Sequence, residues 1–240
     1  MSQQFSDSKV LLVVPAFNEE ASLAATLDDI KDAASFATVL VVDDGSNDET
    51  AAVAQRCGAD YLRLPFNLGV GPAVQTGFMF AQRNGFDCVV QIDGDGQHRA
   101  EYVARLLSKI QSSEVDVAAG VRSGDDLDAY TFTLLRGWGS RWLRFLIWLA
   151  SGRMFSDPTC GLRAFNRRSI AYLAETYPEV AAEPYSLVML TNRGFNVVEE
   201  PIRLRKRTGG STSLTFGRAI SYMVIASWAI VAAALAGRRA

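Results

Sequence analysis

Two carboxylates one residue apart, those of Asp93 and Asp95, follow the largely apolar run from Cys88 to Ile92. The run predicts a buried strand, and the intervening Gly94 lets the backbone bend where that strand would end. Carboxylate oxygens bind hard cations, and Gln97 offers a third oxygen close by. The spacing therefore predicts a site for Mg2+ or Mn2+ with Asp93, Asp95 and Gln97 as ligands. A solvated acidic turn is the alternative.

Three further polar segments follow apolar runs in the same way: Pro15 to Glu19, Asp43 to Ser46 and Asn67 to Gly71. An acidic side chain at the end of a strand could accept a hydrogen bond from a nucleotide base. A turn with a helix N-cap is the structural alternative for the second segment. The glycines of the third segment do not complete a dinucleotide-binding fingerprint, because the third glycine position is Val74.

Short runs of apolar and β-branched residues alternate with helical stretches in the first half of the chain. The runs are Val10 to Val14, Thr38 to Val42, Tyr61 to Leu64, Cys88 to Ile92 and Val115 to Ala119. This alternation predicts an α/β fold with a mostly parallel central sheet and helices on both faces. The pattern Ser46-x-x-Glu49 predicts the start of the second helix, and Asn84-Gly85 the end of the third. The polar loops would then meet at the carboxyl ends of the strands.

The composition is that of a globular protein with a complete core, since 49% of the 240 residues are hydrophobic. A formal net charge of -2 gives no reason to expect a nucleic acid partner. The three cysteines are widely spaced and form no CxxC pair, which argues against a disulfide scaffold or a zinc site. The N-terminal residues do not form a signal-peptide pattern.

The second half of the chain is richer in aromatic and basic residues. Large apolar side chains recur with helical spacing from Trp138 to Leu149, interleaved with Arg136, Arg141 and Arg144. The pattern predicts an amphipathic helix, which either lies on a membrane surface or packs in the core with a solvated basic face.

A stretch without charged residues runs from Ala219 to Gly237. Its length is close to the ~20 residues that cross a bilayer. It could span a membrane, lie in the membrane interface, or pack against a second copy of the chain as a homo-oligomer. In the spanning case the basic cluster Arg203 to Arg207 would keep the preceding domain on the cytoplasmic face of the cell membrane.

Four N-terminal motifs together resemble those of the inverting family 2 glycosyltransferases, which use nucleotide sugars and have the GT-A fold. The motifs are P-A-F-N-E from Pro15, V-V-D-D-G-S-N-D-E-T from Val41, N-L-G-V-G-P-A from Asn67 and D-G-D-G-Q-H from Asp93. The likeness is greatest to the polyprenyl-phosphate (dolichyl-phosphate) sugar synthases. It implies a GT-A domain over residues 1–213, with a nucleotide-sugar half at about 8–121 and an acceptor half at about 122–213, followed by a hydrophobic C-terminal helix at 214–240.

Two C-terminal elements extend this likeness. The segment from Asp157 to Arg163 resembles the D-x-T-x-G-[F/L]-[R/K] strand of the synthases, and Arg207 to Thr212 resembles their R-x-x-G-x-[S/T] element. The chain departs from the pattern at Ser213, where the synthases often have lysine.

The resemblance assigns roles to individual positions. The nucleotide sugar would be bound by Pro15, Phe17, Glu19, Asp43, Asp44, Asn67, Gly71, Asp93, Gly94, Arg205 and Arg207. The acceptor phosphate would be bound by Arg122, Arg136 and Ser140, with Asp95 and Arg122 as the catalytic residues.

The reaction implied is inverting transfer of a sugar from a UDP- or GDP-sugar to a polyprenyl phosphate at a membrane surface. A phosphate monoester is largely ionised near neutral pH, since its second pKa is about 6, so it needs no general base. For a saccharide hydroxyl acceptor instead, Glu183 could be the base, although its place before Pro184 also fits a helix start. His98, the only histidine, orients the metal loop or lies on the surface. A non-catalytic nucleotide-sugar-binding module is a further alternative.

Overall fold

The computed structural model describes residues 8–111, 114–123, 134–205 and 216–237, with side chains for all of these except 134–138, 216–220 and 236–237. The strands are β1 (Val10–Ala16), β2 (Thr38–Asp43), β3 (Asp60–Arg63), β4 (Cys88–Gln91), β5 (Val117–Arg122), β6 (Arg163–Asn166) and β7 (Val197–Ile202). The helices are α1 (Leu23–Ala33), α2 (Thr50–Arg56), α3 (Val70–Arg83), α4 (Glu101–Ile110), α5 (Leu134–Ser151), α6 (Arg167–Thr176), α7 (Ala182–Asn192) and α8 (Phe216–Gly237).

A mixed sheet in the order β3-β2-β1-β4-β6-β5-β7 forms the centre of the described chain. Neighbouring strands are parallel except at β6, which is antiparallel to both β4 and β5. The predicted α/β fold with a mostly parallel sheet is therefore confirmed. The sheet joins strands from the predicted nucleotide-sugar and acceptor halves, and the proposed domain boundaries stay a prediction.

The helices cover both faces of the sheet, as the alternation of elements predicted. Leu11 and Val13 of β1 pack into a core layer with α3, α5, α6, α7 and α8. Leu12 and Val14, which point to the opposite face, pack with α1, α2 and α4. Each face of β1 is therefore fully apolar and fully buried.

One predicted helix start is wrong. Helix α2 begins at Thr50 after Glu49, and no side chain caps it at that position. The hydroxyl group of Ser46 instead accepts a hydrogen bond from the backbone N–H of Asn18, 2.9 Å away. Ser46 thus joins the loops that follow β1 and β2. The predicted end of α3 is confirmed, because Asn84 is its C-cap and Gly85 has a φ of 67°.

Helices α5 and α8 lie side by side at one end of the molecule. Leu143 of α5 and Ile230 of α8 are buried, and the indole N–H of Trp142 donates to the hydroxyl group of Ser227 over 3.1 Å. Among the described helices, none combines the length and the apolar composition that crossing a bilayer requires. The spanning alternative for Ala219 to Gly237 is therefore not supported.

We expect the change Gly77→Ala to destabilise the fold. A Cβ atom at residue 77 would lie 2.4 Å from Cγ1 of the fully buried Val13, whose β-branched side chain has little freedom to move. The overpacking should lower the free energy of unfolding by roughly 1–3 kcal/mol, although alanine is the better helix former. Urea denaturation measures the change. The exposed position Gln82 of the same helix is the control, and Gln82→Ala should stay within about 0.5 kcal/mol of the wild type. Unchanged stability of Gly77→Ala would contradict this packing.

Candidate active site

The acidic loop, residues 93–100, follows β4 and begins with Asp93. The ring Nε2 of the buried His98 lies 3.1 Å from Oδ2 of Asp93, so His98 orients this carboxylate and is not a surface residue. Burial alone would raise the pKa of Asp93, but the His98 hydrogen bond and nearby arginine side chains hold that pKa below its ordinary value. A Cβ atom at residue 161 would lie 2.6 Å from Oδ2 of Asp93. Gly161 therefore leaves the space that this carboxylate occupies.

Asp95 is also held within the loop. Its Oδ1 accepts the backbone N–H of Gln97 over 3.0 Å. Gln97 is buried, and its carbonyl group accepts the backbone N–H of Arg205 over 2.8 Å. The loop is thus fixed by short hydrogen bonds at both carboxylates.

The donor set of this loop fits a hard divalent cation. Asp93 and Asp95 supply carboxylate oxygens, and Gln97 adds an amide oxygen. Within the described ranges, no group of three His, Cys, Asp or Glu side chains is arranged to hold a metal. Mg2+ in nucleotide sites commonly takes one or two carboxylates and completes its shell with substrate phosphates and water, which is the number of carboxylates this loop offers. The ligand set stays a prediction.

The two acidic residues at the end of β2 hold the neighbouring loops. Asp43 accepts the backbone N–H of Ser46 over 2.8 Å and the hydroxyl group of Tyr61 over 2.6 Å. Burial and this carboxylate raise the pKa of Tyr61 to about 12. Asp44 accepts the backbone N–H groups of Leu68 and Gly69, each at 2.7 Å. Both carboxylates are therefore occupied within the protein, and their predicted contacts with the nucleoside stay predictions.

The segment after β1 lies at the same edge. Pro15 is buried within β1, whereas Phe17 is 39% exposed. Oε2 of Glu19 accepts the hydroxyl group of Ser22 over 2.5 Å, so this carboxylate takes part in the start of α1. Of the three residues predicted to bind the nucleotide sugar here, Pro15, Phe17 and Glu19, Phe17 is the exposed one.

Two positions of the third polar segment behave differently. Asn67 is exposed, next to the loop that Asp44 holds. Gly71 is buried, and a Cβ atom there would lie 2.3 Å from the carbonyl oxygen of Pro178. The glycine is needed for close packing of α3 against the chain before α7. Its predicted role in approaching the nucleotide is not tested.

Arg122 ends β5 and binds a carboxylate of the protein. Its Nη2 lies 2.6 Å from Oδ1 of Asp157 and 2.6 Å from the hydroxyl oxygen of Thr159. Its Nε and backbone N–H both contact Oδ2 of Asp157. Burial alone would raise the pKa of Asp157, but these contacts with Arg122 hold it below its ordinary value. Arg122 is therefore positioned at the site by Asp157, and its assignments as a catalytic and acceptor-phosphate residue stay predictions.

Arg163 also lies at this site, and it was assigned no role from the sequence. Its guanidinium group is almost fully buried at the start of β6. It donates to the carbonyl groups of Pro158, Cys160 and Glu183 and to the hydroxyl group of Ser186, at 2.9–3.0 Å. The arginine in the D-x-T-x-G-L-R element was the only sequence signal. Its positive charge also favours the ionised form of Asp93.

Glu183 begins α7 on the acceptor side of the site. Burial raises the pKa of its carboxyl group, although the nearby Arg163 opposes this effect. The first-turn position predicted from Pro184 is confirmed. A carboxyl group with a raised pKa is also what a general base requires.

The remaining basic residues are only partly placed. Ser140 lies exposed on α5, which also carries Arg136, but the side chain of Arg136 lies outside the description. Arg205 lies beside the acidic loop, where its Nη2 donates to Oδ1 of Asp29 over 2.8 Å. Arg207 lies outside the described residues. The structure therefore brings Arg122 and Arg205 to the site and leaves the other assignments untested.

The fold and this edge of the sheet are those of a nucleotide-sugar-dependent transferase. The model of glycosyl transferase family 2 matches residues 11–173, and the chain belongs to this family. The protein is therefore a glycosyltransferase.

Two relatives can be aligned with most of the chain. It is 30% identical over 221 residues to the undecaprenyl-phosphate mannosyltransferase of Micrococcus luteus, covering 87% of this chain and 88% of that protein. It is 28% identical over 236 residues to the polyprenol monophosphomannose synthase of Mycolicibacterium smegmatis, covering 92% and 87%.

A solved structure shares the fold. The glucosyl-3-phosphoglycerate synthase of Mycobacterium tuberculosis, in complex with Mn2+, uridine diphosphate and phosphoglyceric acid, superimposes with a TM-score of 0.73 at 18% identity, covering 98% of this chain and 80% of that one. This likeness confirms the predicted GT-A fold.

We expect Asp157→Asn to destabilise the protein in a pH-dependent way. The change removes an ionised acceptor from Arg122 and should lower the free energy of unfolding at pH 7 by roughly 1–3 kcal/mol. Because folding lowers the pKa of Asp157, its stabilising effect is full above the unfolded value of about 3.9 and is lost as the pH falls through the folded pKa. The deficit of the variant should therefore shrink below about pH 4.

Urea unfolding across this pH range measures the effect. Asp60→Asn, at an exposed position of β3, is the control and should change stability by less than about 0.5 kcal/mol. A deficit of Asp157→Asn that did not vary with pH would contradict the role given to this ion pair.

Proposed function

We propose that this glycosyltransferase moves a sugar from a UDP- or GDP-sugar to the phosphate group of a polyprenyl phosphate at a membrane surface. The observation that carries the choice of acceptor is the α5–α8 surface, the exposed apolar side chains of these two helices. Its members are Trp142, Phe145, Trp148, Leu149, Val224, Ile225, Trp228, Val231 and Leu235. Between the helices lies a groove of about 400 Å3.

The side chains of the α5–α8 surface suit a lipid interface. Trp228 is 72% exposed and Trp142 is 51% exposed. Tryptophan has an apolar ring system with one polar N–H group, and it is enriched where hydrocarbon meets water. A contiguous exposed patch of this kind marks an interaction surface. A lipid-linked acceptor accounts for it, whereas a water-soluble acceptor does not.

The charge around this surface points the same way. The sequence has no acidic residue between Asp128 and Asp157, and none after Glu200. Both stretches contain arginine, including Arg141 on the exposed side of α5 and Arg153 just beyond it. A basic, apolar surface is attracted to the anionic headgroups of a bilayer.

The α5–α8 surface adjoins the acceptor side of the site. Helix α8 packs against α5 and α7. Burial raises the pKa of Tyr222 of α8, and the carboxylate of Glu183 raises it further, while Arg163 and Arg122 lower it. Tyr222 is therefore close enough to these groups to feel their charges. A lipid held on α8 would have its headgroup near them.

The proposed reaction uses the charged groups at this edge of the sheet. An oxygen of the lipid phosphate attacks the anomeric carbon as the bond to the nucleoside diphosphate breaks, which inverts the configuration. A Mg2+ or Mn2+ ion at Asp93 and Asp95 would supply Lewis-acid stabilisation of the departing diphosphate. Arg122, held by Asp157, would present positive charge to phosphate oxygens. The lipid phosphate needs no general base. The names of the Micrococcus luteus and Mycolicibacterium smegmatis relatives support this acceptor class.

A hydroxyl acceptor is the second candidate, and one observation favours it. Glu183 has a raised pKa and lies beside Arg163. A carboxylate in that setting could take the proton of an attacking saccharide hydroxyl group. The two candidates differ in the acceptor that supports turnover.

The test measures release of UDP or GDP from a panel of nucleotide sugars, with Mg2+, Mn2+ or EDTA, and with a short polyprenyl phosphate, a saccharide or no acceptor. We expect release that requires both the metal and the lipid phosphate. Asp95→Ala should lower this activity at least ~100-fold, because loss of a metal-bound carboxylate removes charge stabilisation from the leaving group.

The matched control is Asp60→Ala, which removes an exposed carboxylate on β3 and should leave the rate within about twofold of the wild type. Turnover with saccharides and none with lipid phosphate would overturn the acceptor assignment in favour of the second candidate. Equal activity in EDTA would remove the metal from the proposal.

A vesicle experiment tests the α5–α8 surface separately. We expect the protein to sediment with anionic phosphatidylglycerol vesicles more than with neutral phosphatidylcholine vesicles. Trp228→Glu should weaken this binding at least about tenfold, since burying a large apolar side chain contributes ~1.5–3 kcal/mol. Leu62→Glu, at an exposed apolar position on the opposite edge strand β3, is the control. Equal losses for both variants would show that the α5–α8 surface does not bind lipid.

A further inference from the structure

A polar face of α1 points at the acidic loop. Ser22, Thr26 and Asp29 lie four and three residues apart along the start and the middle of this helix, so their side chains share one side of it. Ser22 and Thr26 are almost fully buried, although neither is apolar. Buried polar side chains of this kind have hydrogen-bond partners, and here the partners include the acidic loop as well as the start of α1 itself.

Ser22 and Thr26 hold the residue between the two carboxylates. The hydroxyl oxygens of Ser22 and Thr26 lie 3.1 Å and 3.2 Å from the carbonyl oxygen of Gly94. Each hydroxyl group has one proton and a second acceptor at the start of α1: Oε2 of Glu19 lies 2.5 Å from that of Ser22, and the carbonyl oxygen of Ser22 lies 3.1 Å from that of Thr26. A proton donated to Gly94 orients the peptide unit that joins Gly94 to Asp95, and with it the direction in which the Asp95 side chain leaves the backbone.

Asp29 holds the far end of the same loop. Its Oδ2 accepts the backbone N–H of Ala100 over 2.8 Å, and its Oδ1 accepts Nη2 of Arg205 over 2.8 Å. The backbone N–H of Arg205 in turn donates to the carbonyl oxygen of Gln97. Asp29 thus ties the acidic loop to the chain that continues in the sequence as Lys206 and Arg207.

We propose that Ser22, Thr26 and Asp29 are positioning residues that preset the acidic loop for a divalent cation, and that Asp29 does so together with Arg205. Groups that orient metal ligands commonly change metal affinity or activity by about 10–100-fold when they are altered. The inference rests on the proposed metal site, but not on the choice of lipid or saccharide as acceptor. These roles go beyond ordinary helix capping, because each of the three side chains also reaches the acidic loop, at Gly94 or at Ala100.

The experiment measures how strongly Mn2+ enhances nucleotide binding, without any acceptor. UDP and GDP are titrated into the protein by calorimetry, once with saturating Mn2+ and once in EDTA. In the wild type we expect Mn2+ to tighten binding of at least one of them. The ratio of the dissociation constant in EDTA to that in Mn2+ reports whether the loop is preset for the cation, and it does not depend on turnover.

Two substitutions remove single contacts with little change of shape. Thr26→Val keeps the branched shape and loses the hydroxyl group, whereas Thr26→Ser retains it. Asp29→Asn replaces one carboxylate oxygen with an NH2 group, so one acceptor oxygen remains. Two donors, the N–H of Ala100 and Nη2 of Arg205, each need an oxygen. We expect Thr26→Val and Asp29→Asn to weaken nucleotide binding in Mn2+ about tenfold and binding in EDTA less than about twofold.

Matched variants separate this result from a general loss of structure. Thr26→Ser should bind within about twofold of the wild type, and so should Asp28→Asn, which changes an exposed aspartate of the same helix.

Three outcomes would overturn the inference. Equal weakening in Mn2+ and in EDTA would mean that the face only stabilises the fold. Unchanged binding by Thr26→Val and Asp29→Asn would mean that the loop does not depend on it. If Mn2+ does not change the nucleotide affinity of the wild-type protein, the loop does not bind the cation, and the metal part of the proposed function fails as well. If only the lipid acceptor fails to support turnover, this inference still holds.

Discussion

Charge balance around Asp93 is the constraint on which the rest of the site depends. This carboxylate is kept ionised although burial opposes it, and Asp157 and Glu183 bring two further acidic groups to the same edge. An unpaired buried charge costs several kcal/mol, so such a cluster is stable only with compensating cations. Arg163 supplies part of that compensation, His98 contributes a hydrogen bond to Asp93, and Arg122 is paired with Asp157. A divalent cation and a diphosphate would add charges of both signs to a site that is already balanced.

The antiparallel strand β6 explains how the compensating groups reach Asp93. Gln91 at the end of β4 is opposite Arg163 at the start of β6, because the two strands run in opposite directions. The segment that precedes β6 therefore lies at the carboxyl ends of the parallel strands. If β6 were parallel to its neighbours, the segment that follows β6 would lie there instead. This brings Gly161 against Asp93 and Asp157 against Arg122. One reversed strand thus brings residues from the second half of the chain to the acidic loop.

Local sequence patterns predicted the strands and helices better than they predicted the contacts between side chains. The five apolar runs correspond to β1 to β5. In β1, β2, β4 and β5 buried apolar residues, many of them β-branched, leave a plain signal in composition, whereas β3 is a mostly exposed edge strand without a β-branched residue. Strand β7 was not predicted, since Glu199, Glu200 and Pro201 interrupt its pattern. The roles of Thr26 and Asp29 could not be read from the sequence, because their partners lie about 70 residues away along the chain. Ser46 was misassigned for the same reason, as its partner Asn18 belongs to another loop.

The two sides of the site to which the proposed function assigns donor and acceptor differ in physical terms. On the proposed donor side, the acidic residues Asp43, Asp44 and Asp93 are held by hydrogen bonds of 2.7–3.1 Å within the protein, so the loops are fixed before any ligand binds. The acceptor side carries an exposed apolar surface on α5 and α8, which no described part of the chain covers. Rigid polar loops select a small charged ligand by geometry, whereas an apolar helix face binds by area and tolerates variation in shape. Under the proposed function, a nucleotide sugar and the hydrocarbon chain of a lipid acceptor would make these two different demands on one enzyme.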